Sequence, residues 1–241
     1  MDPLIKLQTV TKSFGSVKAA NNFSMTLARD EALGIIGPNG AGKSTLFNII
    51  TGDISPNEGR IFFDGHDITN RSPHVRCRLG IGRSYQIPHP FANMTVFENL
   101  LVGAVFGGSR PERECYDHCR EVLNRTDLLP KANAMAGTLT LLERKRLELA
   151  RALATQPRVL LLDEIAGGLT EHECDALVET IWSIHADGTA IVWIEHIVHA
   201  LTPVVDRLIV LNFGMKLAEG APEEVMTNPE VREVYMGIDT E

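Results

Sequence analysis

Long apolar runs are missing from this chain of 241 residues. The longest, residues 100–108, holds three glycines in nine positions, whereas a bilayer span takes roughly 20 apolar residues. No membrane crossing is therefore expected. The opening Met1-Asp2-Pro3 leads into no basic region followed by an apolar one, so no secretory signal is expected either. A basic excess is missing too: 23 Lys plus Arg against 31 Asp plus Glu give a formal net charge of -8. That balance argues against non-specific nucleic-acid binding, which needs a dense basic field. Cysteine is scarce, with only Cys77, Cys115, Cys119 and Cys174, too few and too dispersed for a disulfide framework. Cys115 and Cys119, with His118 beside them, stand at helical spacing, but no second Cys/His pair completes a tetrahedral metal site. Small half-buried side chains in a reduced, cytoplasmic protein are the plain expectation. Internal repeats and low-complexity segments are also lacking. What remains is a length suited to one large domain, or to one domain with a smaller subdomain, and ample for a hydrophobic core.

The apolar pattern supplies the architecture. Residues 5–10 and 23–27 alternate as short strands around a turn at Ser13-Phe14-Gly15-Ser16. Residues 32–36, Ala-Leu-Gly-Ile-Ile, are continuously apolar, which suits a strand buried on both faces. A glycine-rich loop and a helical stretch at 44–51 follow directly. Residues 60–69 read as strand, Asp-Gly turn, strand. Between about 88 and 142 the β-branched runs give way to charged helical patterns, such as 111–129, closed by Pro130. Residues 143–154 are strongly helical. Together 88–154 make a candidate helical subdomain. Strand and helix then alternate at 159–162, 171–185, 190–194 and 208–211, a βαβ pattern that predicts a mostly parallel sheet. The fold class is therefore α/β.

Gly37-Pro38-Asn39-Gly40-Ala41-Gly42-Lys43-Ser44-Thr45 fits G-x-x-x-x-G-K-[ST] and lies between an apolar strand and a helix, the context this motif requires. Its glycines let successive N–H groups curl around a phosphate chain at a helix N-terminus. Lys43 is suited to reach the β- and γ-phosphates and the Ser44 hydroxyl to ligate magnesium. A nucleoside triphosphate is the expected ligand. Val159-Leu160-Leu161-Leu162-Asp163-Glu164 is an apolar strand ending in two carboxylates. Asp163 is then a metal-side candidate, and Glu164 a general base able to polarise an attacking water. Gln86 and His196 each end a predicted strand at the edge where phosphates would lie. Elsewhere a lone Gln or His is ordinarily a surface or satisfied core residue.

With these residues in order, the chain resembles the nucleotide-binding subunits of ABC transporters over essentially its full length. The resemblance implies a P-loop ATPase core with an antiparallel β subdomain and a small helical subdomain. It implies ATP and Mg2+ as cofactors, with Ser44, Gln86 and Asp163 at the metal, Phe14 stacked on adenine, and Glu164 and His196 with Lys43 as the catalytic groups. Within the family the chain is similar to the LivG-type ATPases of branched-chain amino acid importers. That narrower match rests on Phe62-Phe63-Asp64-Gly65-His66-Asp67-Ile68-Thr69, on Pro90-Phe91-Ala92-Asn93-Met94-Thr95-Val96-Phe97-Glu98-Asn99-Leu100, and on the tail. The tail reads Glu219-Gly220-Ala221-Pro222-Glu223-Glu224-Val225, Asn228-Pro229-Glu230-Val231 and Tyr235-Met236-Gly237. The implied partners are a second ATPase subunit, in a homo- or heterodimer, and transmembrane permeases. A solute-binding protein is implied indirectly, and nucleic acid is not a partner. The implied location is peripheral, on the cytoplasmic side of the cell (inner) membrane.

Departures accompany the match. The family signature Leu-Ser-Gly-Gly-Gln aligns with Leu139-Thr140-Leu141-Leu142-Glu143, which keeps a hydroxyl at Thr140 but loses both glycines. Ile165 stands where the family has Pro, and Gly167-Gly168-Leu169-Thr170 lacks a terminal Asp. Two readings stay open. Either the helix N-terminal amides still suffice, or a heterodimer has one strong and one weak ATP site. Residues 91–106, apolar for a loop-rich region, are a candidate docking surface as well as candidate subdomain core. A DNA-repair or translation ATPase would need a coiled-coil insertion or a second cassette, and a GTPase an Asn-Lys-x-Asp motif; none occurs. The cargo stays open between branched-chain amino acids, urea or short amides, organic acids and lipid.

Overall fold

In the computed structural model two sheets share the chain, and residues 2–108 and 110–236 are described. Gly237, the last residue of the tail motif, lies outside them. The first sheet is antiparallel, in the order β2-β1-β4-β5, built from β1 (Ile5–Phe14), β2 (Val17–Leu27), β4 (Glu58–Phe63) and β5 (His66–Asp67). β1 and β2 form a hairpin closed by Gly15 and Ser16, with Phe14 opposite Val17. The strand therefore runs two residues further than the sequence turn at 13–16 suggests, because Gly15 alone supplies the left-handed φ of 60°. The expected Asp-Gly turn joins β4 to β5, with φ of 52° and 76° at Asp64 and Gly65.

The second sheet has six strands in the order β10-β9-β3-β8-β7-β6. They are β3 (Ala32–Ile36), β6 (Ile81–Arg83), β7 (Val159–Asp163), β8 (Ala190–Ile194), β9 (Arg207–Asn212) and β10 (Met215–Gly220). Five run parallel, and β10 returns antiparallel to β9. All five residues of β3, β7 and β8 are buried. Alternate side chains divide between two cores. Leu33, Ile35, Val159 and Leu161 join the antiparallel sheet and α1 (Lys43–Thr51) in one core. Ala32, Ile36, Leu160 and Leu162 join the helices in the other. Continuous apolar runs are what a strand covered on both faces requires.

The helical layer comprises α3 (Val96–Val102), α4 (Tyr116–Arg125), α5 (Leu141–Ala154) and α6 (Glu171–Ala186), with α2 (Pro73–Leu79) between β5 and β6. Past β8 come α7 (Val198–Leu201), α8 (Pro222–Thr227) and α9 (Pro229–Met236). Residues 91–106 are more helical than their composition suggests: α3 continues through a wide turn at Gly103–Gly107. The helix expected over 111–129 is shorter. A 3₁₀ turn at Glu112–Cys115 precedes α4, and Asp127 takes a left-handed φ of 55° that ends it. Cys115 and Cys119 are buried in the core rather than half-buried, and no group of metal-holding side chains occurs among the described residues.

Candidate nucleotide site

Because β3, β8, β7 and β6 are parallel neighbours, the loops leaving their C-terminal ends share one sheet edge, where open α/β sheets bind ligands. The loop after β3 carries Gly37 to Gly42 and runs into α1. Gly42 caps that helix with φ 104°, and a Cβ there would stand 2.0 Å from the Ala19 carbonyl oxygen. A Cβ on Gly37 would stand 2.2 Å from the Leu211 carbonyl oxygen. Both positions therefore demand glycine. The loop lies directly against β2 and β9, so its curl is fixed from behind. Lys43 is buried, and its ammonium donates to the carbonyls of Gly37 at 2.7 Å and Pro38 at 3.1 Å. Burial pulls its pKa below the ordinary lysine value, while the carboxylates of Glu164 and Asp163 act the other way. Ser44 is exposed and Thr45 half-buried at the start of α1.

Asp163 ends β7 and is buried. Its Oδ2 accepts from Arg83 Nη2 at 2.8 Å, and its Oδ1 is buried without a hydrogen-bond partner. Glu164 follows with a left-handed φ of 46°, a strained value for a non-glycine residue, held by its N–H donating to Ile194 at 2.9 Å. Gln86 Nε2 donates to Glu164 Oε2 at 2.6 Å. His196 Nδ1 stands 3.9 Å from that same oxygen and 3.8 Å from Glu195 Oε2. Gln86, Glu164 and His196 thus converge, and with Gly37, Pro38 and Asn39 they line a cavity of 480 Å3. Val234 of α9 closes its rim. A second cavity of 310 Å3 runs along residues 39–45 and shares Asn39, Gln86 and Glu164 with the first.

Three of the expected residues line neither cavity: Asp163, which is buried, Phe14, and Thr140, whose signature position the family resemblance assigns to the nucleotide of the opposite subunit. Phe14 stands at the exposed tip of the β1–β2 hairpin, with Lys12 Nζ 5.3 Å from its ring centroid; it is Ala19, further along β2, that reaches the phosphate loop. Thr140 caps α5, its Oγ1 accepting from the Glu143 N–H at 3.3 Å. The Glu143 carboxylate takes the Thr140 N–H at 2.9 Å and pairs with Lys131 at 3.2 Å. That backbone bond, then Lys131, holds Glu143 below the usual carboxylate range. The degenerate signature is therefore a well-formed helix start. Sequence reasoning missed Glu195, fully buried at the end of β8, which accepts from the Ala166 N–H at 2.7 Å and so anchors the loop after Glu164. Burial raises its pKa. It also missed Arg83 and Lys145; the latter's Nζ stands 3.5 Å from the Glu164 carbonyl. A carboxylate directly before His196 was the one available signal for Glu195.

A glycine cradle at a helix start, sharing its cavities with the strand-end carboxylate Glu164 and backed by the buried Asp163, defines a P-loop nucleotide-binding ATPase. Comparison with known proteins narrows the class. Residues 20–167 match the family model for ABC transporters, and residues 215–240 match that for branched-chain amino acid ATP-binding cassette transporters. The chain belongs to the ABC transporter family, as one of its ATPase cassettes. It is 35% identical to the high-affinity branched-chain amino acid transport ATP-binding protein BraF of Pseudomonas aeruginosa, over 98% of each chain. It is 36% identical to LivG of Escherichia coli K12, also over 98% of each. Among solved structures, an ABC transporter cassette in its ADP conformation aligns with a TM-score of 0.90 and 31% identity, over 99% of this chain and 100% of that one.

Proposed function

We propose that the chain binds ATP with Mg2+ along residues 37–45 and hydrolyses it to power import of branched-chain or related amino acids through partner permeases. The observation that carries the hydrolytic reading is the convergence of Gln86, Glu164 and His196 on the cavity beside the phosphate loop. Loop amides and Lys43 hold the phosphate chain, and the fixed donors stabilise charge as it develops. Glu164, kept in its strained backbone conformation and restrained by Gln86, orients the attacking water and accepts its proton. His196 stabilises the γ-phosphate. The buried, unpartnered Asp163 Oδ1 suits a divalent cation, with the Ser44 hydroxyl and Gln86 as further ligands. Such an ion would neutralise the phosphate oxygens. Phe14 is assigned to the adenine.

The cargo assignment is supported by the printed names of the relatives and by the match of the tail. Partnership with a second cassette is supported by a dimeric bacterial ABC transporter cassette with a TM-score of 0.82 and 26% identity, covering 90% of this chain and 98% of that one. Residues 88–154 serve as the helical subdomain that relays closure to the permeases, on the cytoplasmic face of the inner membrane. Glu164→Gln tests the mechanism. ATP binding should persist while steady-state hydrolysis falls by about 10³-fold or more, the scale of a lost catalytic base combined with lost charge positioning. Unchanged turnover removes Glu164 from the reaction. Making the substitution in one subunit of the dimer at a time probes the leucines at 141 and 142. Unequal losses support one strong and one weak site, and equal losses overturn that asymmetry.

A further inference from the structure

Arg83 is a cation beside the site that the proposed chemistry leaves without a role, and its side chain grips the Asp163 carboxylate. It ends β6, with its side chain 7% exposed. Nη1 donates to Asn48 Oδ1 at 2.6 Å and Nη2 to Asp163 Oδ2 at 2.8 Å, while Asp53 lies 3.6 Å away. Asn48 stands four residues after Ser44, on the next turn of α1. The guanidinium carbon lies 5.6 Å from the Phe47 ring centroid and 4.6 Å from that of Tyr85. The fork is thus held by two acceptors on different elements and by two rings. A buried ion pair is a poor source of stability, since apolar side chains of similar volume commonly do as well. What this arrangement does supply is orientation. Among the described residues no other side-chain hydrogen bond reaches Asp163: Oδ2 accepts from Arg83, and Oδ1 is buried and unpartnered.

We propose that Arg83 is a positioning residue, fixing the rotation of the Asp163 carboxylate so that Oδ1 alone is kept for the divalent cation, in register with Ser44 on the helix that Arg83 also grips. The inference rests on the reading of Asp163 as a metal ligand. Outer partners of metal-bound carboxylates act in this way, by orienting the ligand. Lysine cannot replace the function fully, because one ammonium does not present the planar fork that spans Asp163 and Asn48.

The test is the metal preference of nucleotide binding. The full-length chain is titrated with ADP by calorimetry, once with Mg2+ and once with EDTA, and the ratio of the two dissociation constants is compared between variants. Arg83→Met should reduce the ratio about tenfold and Arg83→Lys about threefold, with metal-free ADP affinity unchanged. Mn2+ with ADP gives an independent readout, as the resonance of the bound ion broadens when its carboxylate ligand is no longer fixed. Asp163→Asn is the control and should abolish the preference. If Asp163→Asn keeps the preference, the metal reading of Asp163 is wrong and this inference falls with it. If Asp163→Asn loses it but Arg83→Met keeps it, Arg83 does not position the ligand. Equal weakening of metal-bound and metal-free ADP would mark Arg83 as a scaffold residue and overturn the proposal. Should the methionine variant fail to fold, an unchanged ratio in Arg83→Lys overturns it as well.

Discussion

Asp64 shows how much one side chain can carry far from the chemistry. It sits in the turn between β4 and β5 and pairs with both Arg29 and Arg158, the latter at 2.8 Å. Arg158 precedes β7, the strand that ends in Asp163, so this pairing ties the antiparallel sheet to the parallel one. The hydrogen bond from Arg158, then that from Arg29, lowers the Asp64 pKa from 3.8 to about 2. A carboxylate depressed in this way contributes stability that is present above its unfolded pKa and lost as pH falls through its folded one. Asparagine tolerates the left-handed φ of the turn, so Asp64→Asn removes the charge without straining the backbone. At pH 7 the variant should melt below the parent, and the difference should shrink as pH falls from about 4 toward 2. Thermal melts at pH 7 and pH 3 check this. An equal gap at both would mean that the ion pairs contribute nothing.

At the scale of elements, three helices start in the same way. α3, α5 and α6 each open on a Thr whose hydroxyl takes the N–H of a Glu three residues on, while that Glu takes the Thr N–H: Thr95 with Glu98, Thr140 with Glu143, Thr170 with Glu173. Such boxes satisfy two otherwise orphaned donors and fix where the helix begins. Thr170→Ala should cost about 1 kcal/mol in denaturant unfolding and leave nucleotide affinity intact, because α6 adds no side chain to either cavity. A loss of ADP binding in that variant would show that the start of α6 communicates with Glu164. These boxes also mark the limit of what the sequence discloses. Strands buried on both faces, the phosphate loop and the acid pair are written in contiguous residues, and the structure has them where the pattern puts them. The capping Thr-x-x-Glu at 140–143 is equally local, but it was hidden by alignment to a glycine signature. Asn48, Arg83 and Glu195 were not legible, because their meaning comes from partners 35, 80 and 29 residues away. The apolar stretch at 91–106 divides for a related reason: Val96, Leu100 and Ala104 join a core that only the fold assembles, while Phe91 and Phe106 stay exposed.

For the whole molecule, among the described residues no helix is long and apolar enough to cross a membrane, and the proposed transport role implies a surface that meets a membrane partner. On the far side of Arg83 from the phosphate loop, a groove of 330 Å3 is lined among others by Cys77 of α2, Arg83 itself, Tyr85, Val102 and Gly103, and Glu148 and Arg151 of α5. It lies between the element that carries Gln86 and the helices proposed as the moving subdomain. Of the stretch at 91–106, only Val102 and Gly103 line it, while Phe106 at 70% exposure faces outward. Glu148 and Arg151 pair at 3.2 Å within it, and burial raises the Glu148 pKa. A helical segment of a permease seated there would cover Cys77, the only one of the four cysteines that is not buried. Burial raises the Cys77 thiol pKa above its ordinary 9.0, so labelling needs an alkaline buffer. With maleimide the isolated chain should modify at Cys77 alone, read by mass spectrometry of its peptides. In the membrane complex the rate should fall by about tenfold or more, as an interface core excludes solvent. Equal rates in the two states would move the docking site elsewhere and leave the groove as a cleft between two packed layers.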